Sequence, residues 1–504
     1  MTPERERLAS RFMLGAAGLA FIAVALPYLH LPFSGDHGLF AYGASQIRAG
    51  AILYRDVWDQ NGPLPHVIEL LAEALFGRRM MAIRAFDVVW MIATLAVLYR
   101  ATRLAAGPLA ASFAVLLVIA MYFTLGHRAT AQRDGFSVLL TLGMLLAATD
   151  LPPSPRTRSG VCIAIGFLIS VLFWLKPPLV LAAAVPAAIA LGRDPRQWIE
   201  RGVPLALGVA LGLALPLAYF WRNDALGAFY ECVIIFNGLY ATVRHSMGDL
   251  LSRIAIAASM RPFLIVGLVG ALAGLRSAQL CPLAGLTFAY LAVAIAQGKL
   301  TGYHQVPTQL MLCVFTGVVL AAAMRATRWT YAARIATLLV LASAAWPAIR
   351  GFQTERFPTI WTTWLRDGTV RVQREETQLA ASVAHASRPD ETVLVWGLGT
   401  AGLVNWFSER RSPTRFFQDY PFSMERQDTD LVERWREEFI AKLREAPPRL
   451  VIVVSGDAWP DIDNVDSSIS FERFAALRDF VATRYERAAD LNGVVGYHIY
   501  RLKN

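Results

Sequence analysis

FIAVALPYLHLPFSGDHGLFAYG, residues 21–43, runs from unbroken apolar sequence into a polar turn. Its first half ends an apolar segment, 11–31, long enough to cross the roughly 30 Å hydrocarbon core of a bilayer as a helix. Its second half sets Asp36 and His37 among glycines and aromatics where such a helix would leave the membrane. A carboxylate at that depth is either an ordinary interfacial residue or the working group of a site at the membrane edge. A charge costs about 2.5–3.5 kcal/mol or more at the bilayer centre and less toward the rim.

The rest of the chain repeats the apolar signal. It has 504 residues, 55% of them hydrophobic, and a mean hydropathy of +0.43, a balance that points to a polytopic membrane protein. Spans are expected near 11–31, 82–100, 105–124, 134–149, 159–175, 177–192, 202–221, 262–276, 280–297, 306–324 and 331–349. Lys176-Pro177-Pro178 interrupts the run 159–192, and proline breaks helices, so a turn is expected there. Residues 1–351 hold 28 basic and 15 acidic residues, and residues 352–504 hold 20 and 23. The excess positive charge therefore belongs to the membrane part, where it suits anionic lipid or phosphate and not nucleic acid. The four cysteines (162, 232, 281 and 313) form no CxxC pattern, which argues against a structural zinc site. Met1–Arg11 and the following apolar run read as an uncleaved first helix.

Arginines in the short connections Met1–Arg11, Arg100–Arg103, Asp150–Ser159, Gly192–Arg201, Arg276 and Arg325–Arg334 place the N-terminus inside. Eleven crossings then put residues 352–504 outside. His30, His37, His66, His127, His245 and His304 all fall at outer ends or in outer loops, as do Lys176 and Lys299. The long loops, about 32–81 and 222–261, are outer as well, so any chemistry is expected on that face. The tail reads as α/β. Buried strands are expected at Thr392–Trp396 and Leu450–Val454 and a final strand at Val494–Tyr500, with helical periodicity over 371–386, 430–445 and 471–484. Its GLGTAG, residues 397–402, has the GxGxxG spacing of a nucleotide-binding turn. The tail is too short for the other βαβ units, so a tight strand-to-helix turn is the better reading.

The first outer loop is the richest, with two amphipathic helices expected near 38–49 and 65–76. Between them lie Tyr54, Arg55, Asp56, Trp58, Asp59 and Asn61. An aspartate just after the first span, then YRDVWDQNGPL, then an apolar helix ending in LFG and an arginine (Arg84), resembles the GT-C glycosyltransferases. The resemblance is to bacterial members of glycosyltransferase family 39, relatives of the protein O-mannosyltransferases and the aminoarabinose transferases. It implies a sugar transfer from a polyprenyl-phosphate carrier at the outer face of a bacterial inner membrane. By the same implication Asp36 matches the catalytic aspartate. HRATAQRDGFSVLL, residues 127–140, is the second match, and it makes Arg128 and Asp134 part of the site. Asp134 also suits a helix N-terminus on dipole grounds alone.

The chain departs from the aminoarabinose transferases at Asn61, where they carry a lysine, and at Leu39, where they carry an arginine. The charge for the carrier phosphate is then expected from Lys176, Lys299, Arg128 and Arg55, with Tyr303 and His304 beside them. His37, Tyr54, Asp56, Asp59 and Asn61 are expected as acceptor contacts or site wall. The implied mechanism is inverting, with Asp36 as general base on an acceptor hydroxyl. The acceptor class is an envelope glycan, a glycolipid or a protein. No cofactor is expected. Asp36, His37 and His66 share a loop, but there is no HxxxH or HExxH to hold a metal. The alternative is a transporter or flippase of lipid-linked glycans, which favours charged or broken helices near mid-membrane. Here the ionisable groups gather at one face.

Overall fold

The computed structural model describes residues 2–240, 245–326, 330–370, 375–423, 429–459, 464–492 and 495–503. Its longer helices are, in order, α1 (Pro3–Leu29), α2 (Gly35–Arg48), α3 (Leu64–Phe76), α4 (Met81–Ala106), α5 (Pro108–Tyr122), α6 (Arg133–Thr149) and α7 (Pro155–Leu175). There follow α8 (Val180–Leu191), α9 (Pro195–Arg222), α10 (Met247–Met260), α11 (Phe263–Gly274), α12 (Cys281–Ala296), α13 (Val306–Arg325) and α14 (Thr330–Thr354). The last are α15 (Phe357–Asp367), α16 (Glu375–Ala386), α17 (Thr400–Ser408), α18 (Asp430–Glu445) and α19 (Ala475–Arg484).

A helix lies at each of the eleven expected spans, but length separates them. Among the described residues, six segments are long and apolar enough to cross a membrane: Pro3–Leu29, Met81–Ala106, Pro155–Leu175, Pro195–Arg222, Gly302–Arg325 and Ile335–Thr354. The apolar helices α5, α8, α11 and α12 have only 12 to 16 residues. At 1.5 Å per residue they fall short of the about 20 residues that a straight crossing needs. The Lys176-Pro177-Pro178 break is real: α7 stops at Leu175 and a single 3-10 turn, Pro177–Leu179, leads into α8.

The chain divides into two compact units. The first comprises Met1–Pro32, Leu75–Leu215 and His245–Val370. Its centre is α5, which packs against α1, α4 and α13 and is buried nearly all round. Small residues set the closest crossings. A Cβ on Gly166 of α7 would lie 2.0 Å from the Leu205 carbonyl oxygen of α9, and one on Gly208 of α9 would lie 2.0 Å from that of Ile163. Lipid offers helices no hydrophobic drive toward each other, so this backbone approach is where their packing energy comes from. Trp198, Ile199, Val203 and Leu207 of α9, and Ile335, Leu338 and Leu339 of α14, are left exposed, as a lipid-facing surface requires.

The second unit comprises Phe33–Ala74, Pro216–Arg244 and Arg371–Asn504. The long loop after α1 therefore folds with the tail, and the compact units do not follow a 351/352 boundary. The tail supplies a four-stranded sheet, β1 (Val393–Trp396), β2 (Leu450–Ser455), β3 (Tyr485–Asn492) and β4 (Gly496–Leu502), in the order β1-β2-β4-β3. β1 and β2 pair in parallel, and the other pairs are antiparallel, with an irregularity between Arg487 and Ala489. VLVW and LVIVV are buried throughout, the pattern of strands covered on both faces. Trp396, Phe416, Phe422, Trp435 and Phe439 form an aromatic core. Trp58 of the loop packs edge-on against Phe236 and Trp435, which joins loop to tail. β3 is a strand the sequence pattern does not reveal. Val494 and residues 371–374, where an expected strand and an expected helix begin, lie outside the described residues.

Candidate active site

In the second unit Asp36 stands in the first turn of α2, half-buried. The turn is held by a reciprocal cap. The His37 N–H donates to Ser34 Oγ (3.4 Å), and the Ser34 N–H donates to His37 Nδ1 (3.2 Å). Four orphan N–H groups at a helix start favour a negative charge there. His37 is therefore spent on the cap and is buried.

The loop after α2 is built from the other residues the sequence singled out. Tyr54 has a left-handed backbone (φ 73°), is fully buried, and donates its hydroxyl to the Asn61 carbonyl (2.7 Å). Asn61 donates from its backbone and its side chain to Asp59 Oδ1 (3.0 and 2.7 Å). The other Asp59 oxygen lies 2.7 Å from His66 Nε2, and both side chains are buried. Gly43 makes room for that imidazole, since a Cβ there would lie 2.5 Å from the ring. Arg55 grips Asp56 through two bonds (2.9 and 2.8 Å) and donates to the Asn223 carbonyl (2.9 Å). Hydrogen bonding from Arg55 holds the Asp56 carboxyl below its ordinary range. Arg415 donates to the Tyr54 carbonyl (3.1 Å) and forks onto Glu438. These groups brace the loop, with Arg55 committed to Asp56 and Asp59 to Asn61 and His66.

In the first unit the other expected residues gather around Asp134, which is fully buried in the first turn of α6. Lys176, capping the end of α7, donates to its Oδ2 (2.9 Å), and Gln297, at the end of α12, donates to its Oδ1 (3.1 Å). Lys176 Nζ also sits 5.1 Å from the centre of the Tyr303 ring, and Tyr303 packs edge-on against His304. His304 is buried and lies within electrostatic reach of Lys176, Asp134, Arg133 and Lys299. Four helix ends thus bring together Asp134, Lys176, Tyr303, His304 and Lys299. Buried polar atoms crowd the same stretch without a protein partner: Gln297 Oε1, Thr301 Oγ1, His304 Nδ1, Thr308 Oγ1 and Gln309 Oε1. Arg128 is exposed on the turn that follows Gly126.

The loop bearing Arg128 is anchored by buried residues of α4. Arg84, fully buried, donates to the carbonyls of Pro32 (2.8 Å), His127 (2.9 Å) and Thr130 (3.1 Å). Asp87 accepts hydrogen bonds from Tyr28 and Tyr122. The Tyr122 hydroxyl in turn takes the N–H of Ala131 (3.0 Å), whose φ is 56°. A left-handed alanine costs of order 1–3 kcal/mol, and this bond holds it there. A carboxylate inside the apolar run 82–100 was the available signal for Asp87. No sequence signal existed for Gln297. Among the described residues no group of three or more His, Cys, Asp or Glu side chains is placed to hold a metal ion.

Comparison with known proteins follows the same lines. Residues 60–221 match the family model described as dolichyl-phosphate-mannose-protein mannosyltransferase. No curated protein sequence matches the chain. Among solved structures, ArnT from Cupriavidus metallidurans bound to undecaprenyl phosphate superposes with a TM-score of 0.61 at 14% identity, covering 97% of this chain and 98% of that one. Its apo state gives 0.58 at 16% identity, covering 98% of each. The oligosaccharyltransferase AglB from Archaeoglobus fulgidus, in complex with an inhibitory peptide and a dolichol-phosphate, gives 0.50 at 11% identity, covering 88% of this chain and 69% of that one. The chain has the fold of the GT-C membrane glycosyltransferases. The resemblance read from DHG, YRDVWDQNGPL and HRATAQRD is borne out.

Proposed function

We propose that this chain transfers a sugar from a polyprenyl-phosphate donor to a hydroxyl of an extracytoplasmic acceptor, with inversion at the sugar carbon. Asp36 is the general base. It takes the proton of the acceptor hydroxyl as that oxygen attacks C1, and the bond from C1 to the phosphate oxygen breaks. The leaving phosphate gains negative charge, which fixed cations stabilise when they are placed before the reaction. Lys176, Lys299 and Arg128 carry that role, with Tyr303 and His304 lining the donor side. The proposal places the chain in a bacterial inner membrane with eleven crossings, the short helices included, and with residues 352–504 outside as an α/β domain. Hexosyl or pentosyl transfer fits equally, and the acceptor is an envelope glycan, a glycolipid or a protein.

The observation that carries this reading is the family match over residues 60–221. Two features support it. Asp36 is half-buried in a helix first turn, where a base can reach substrate. Lys176 stands beside buried, unpartnered polar atoms. The test is transfer by the purified chain in lipid nanodiscs from synthetic polyprenyl-phosphate sugars, with the anomeric configuration of the product read by NMR. Envelope glycans of a deletion strain, complemented with wild type or Asp36→Asn, identify sugar and acceptor. Glycans unchanged by the deletion would sink the reading. A phosphatase fused after residue 351 that stays inactive would remove the proposed sidedness.

A further inference from the structure

The GLGTAG turn of the tail is not shaped for a phosphate. The Leu398 N–H donates to Asp457 Oδ2 (3.1 Å), so a carboxylate of the chain itself occupies the turn. Burial pushes that carboxyl above its ordinary range. The glycines serve a different contact. Gly399 faces Gly35, and a Cβ on either would lie 3.4–3.5 Å from the other's Cα. Three residues on, a Cβ on Gly402 would lie 2.8 Å from the backbone C and O of Gly38. A Cβ on Gly38 would lie 2.6 Å from Leu403 Cγ. The spacing of 399 and 402 on α17 thus matches that of 35 and 38 on α2, and the two helices touch backbone to backbone. Asp36 lies between the two glycines of α2.

Two further ties join the C-terminal segment to α2 or to its neighbour α3. Trp406 of α17 donates to Glu73 Oε1 (3.1 Å), and Glu73 is also paired with Arg48 at the far end of α2. The Ser412 N–H donates to the Tyr42 hydroxyl (2.9 Å). The first turn of α2, its middle and its end are each fastened to the C-terminal segment or to a residue that segment binds.

We infer that the start of α17 is a positioning clamp for Asp36, with Gly35, Gly38, Gly399 and Gly402 as positioning residues and not substrate contacts. The C-terminal segment is therefore part of what sets the reach of the base. The inference rests on the reading of Asp36 as general base. A misplacement of about 1 Å costs on the order of 10²-fold in rate, and a methyl group wedged into this crossing displaces the helix on that scale.

Three measurements test it on the full-length chain in nanodiscs. Gly402→Ala is expected to lower kcat by about 10–100-fold with little change in the KM for donor, in a chain that still folds. Gly38→Ala is expected to do the same. Leu403→Ala in the same chain should then restore much of the rate, because it removes the Cγ and Cδ2 atoms that the new methyl meets at 2.6 and 2.7 Å. If Gly402→Ala does not fold, Gly38→Ala with and without Leu403→Ala carries the test. Third, Asp36→Cys in a Cys281→Ser background is labelled with a maleimide, since the other three cysteines are buried. Adding Gly402→Ala should change the labelling rate several-fold. Wild-type kcat in both alanine variants, no rescue by Leu403→Ala, or unchanged labelling overturns the clamp. Labelling that shifts while Asp36→Asn keeps full activity upholds the clamp and overturns the proposed function instead.

Discussion

Asp36 and Asp134 occupy the same local position, the first turn of a helix that follows a chain reversal, and are housed in opposite ways. Asp134 is sealed off, with one oxygen on Lys176 and the other on Gln297. Asp36 is half-buried, and its helix is capped by Ser34 and His37. A charge that is buried and paired fixes architecture, because removing its partner strands the other ion. A carboxylate that is only half-buried stays within reach of a molecule outside the chain. Asp59 and Asp87 belong with Asp134, and Asp56 lies at the exposed extreme.

That contrast can be broken most directly at Asp36. Asp36→Asn should lower sugar transfer by about 10²–10⁴-fold, the usual weight of a general base, and leave Tm where it was. A matching drop in Tm would move Asp36 into the structural class. Lys176→Met should lower both transfer and stability. It leaves Asp134 buried without its cation, a cost of about 3–5 kcal/mol, visible as a lower denaturation midpoint in nanodiscs. The double variant Lys176→Met/Asp134→Leu should recover most of that stability without recovering transfer. Asp87→Asn should cost about 1.5–3 kcal/mol, since bonds to a charged acceptor are lost. The turn at 126–131 should then become more open to protease. The smallest effect belongs to the Arg55–Asp56 pair. Folding depresses the Asp56 carboxyl, so the stability it contributes is present above the ordinary carboxylate range and is lost as pH falls through the folded value. Because the pair is exposed, Asp56→Asn should shift stability by less than about 1 kcal/mol, and only at pH above that range.

Much of this was readable in the chain. Apolar length marked the long helices, the prolines after Lys176 marked a real break, and three strands and the helix 430–445 lie where their periodicity puts them. Lys176 and His304 lie within electrostatic reach of Asp134, Lys299 within that of His304, and Tyr303 beside Lys176. Less readable were the partners that come from afar in sequence. Gln297 is 163 residues from Asp134, and no local pattern announces it. Asp59, Asn61 and Tyr54 stand in a loop, and loops collect polar residues for chemistry and for folding alike. Only their hydrogen bonds separate the two uses.

The sequence by itself determined that this is a helical membrane chain with a polar first loop and a soluble-like tail. Those properties depend on local hydropathy, charge and turn residues, each of which acts within a few positions. The tertiary structure alone decided that the first loop and the tail form one compact unit, and that a glycine-rich turn spends its small residues on the helix bearing Asp36. Both facts depend on backbones about 360 residues apart coming into contact, and a glycine does not reveal in sequence what is meant to approach it.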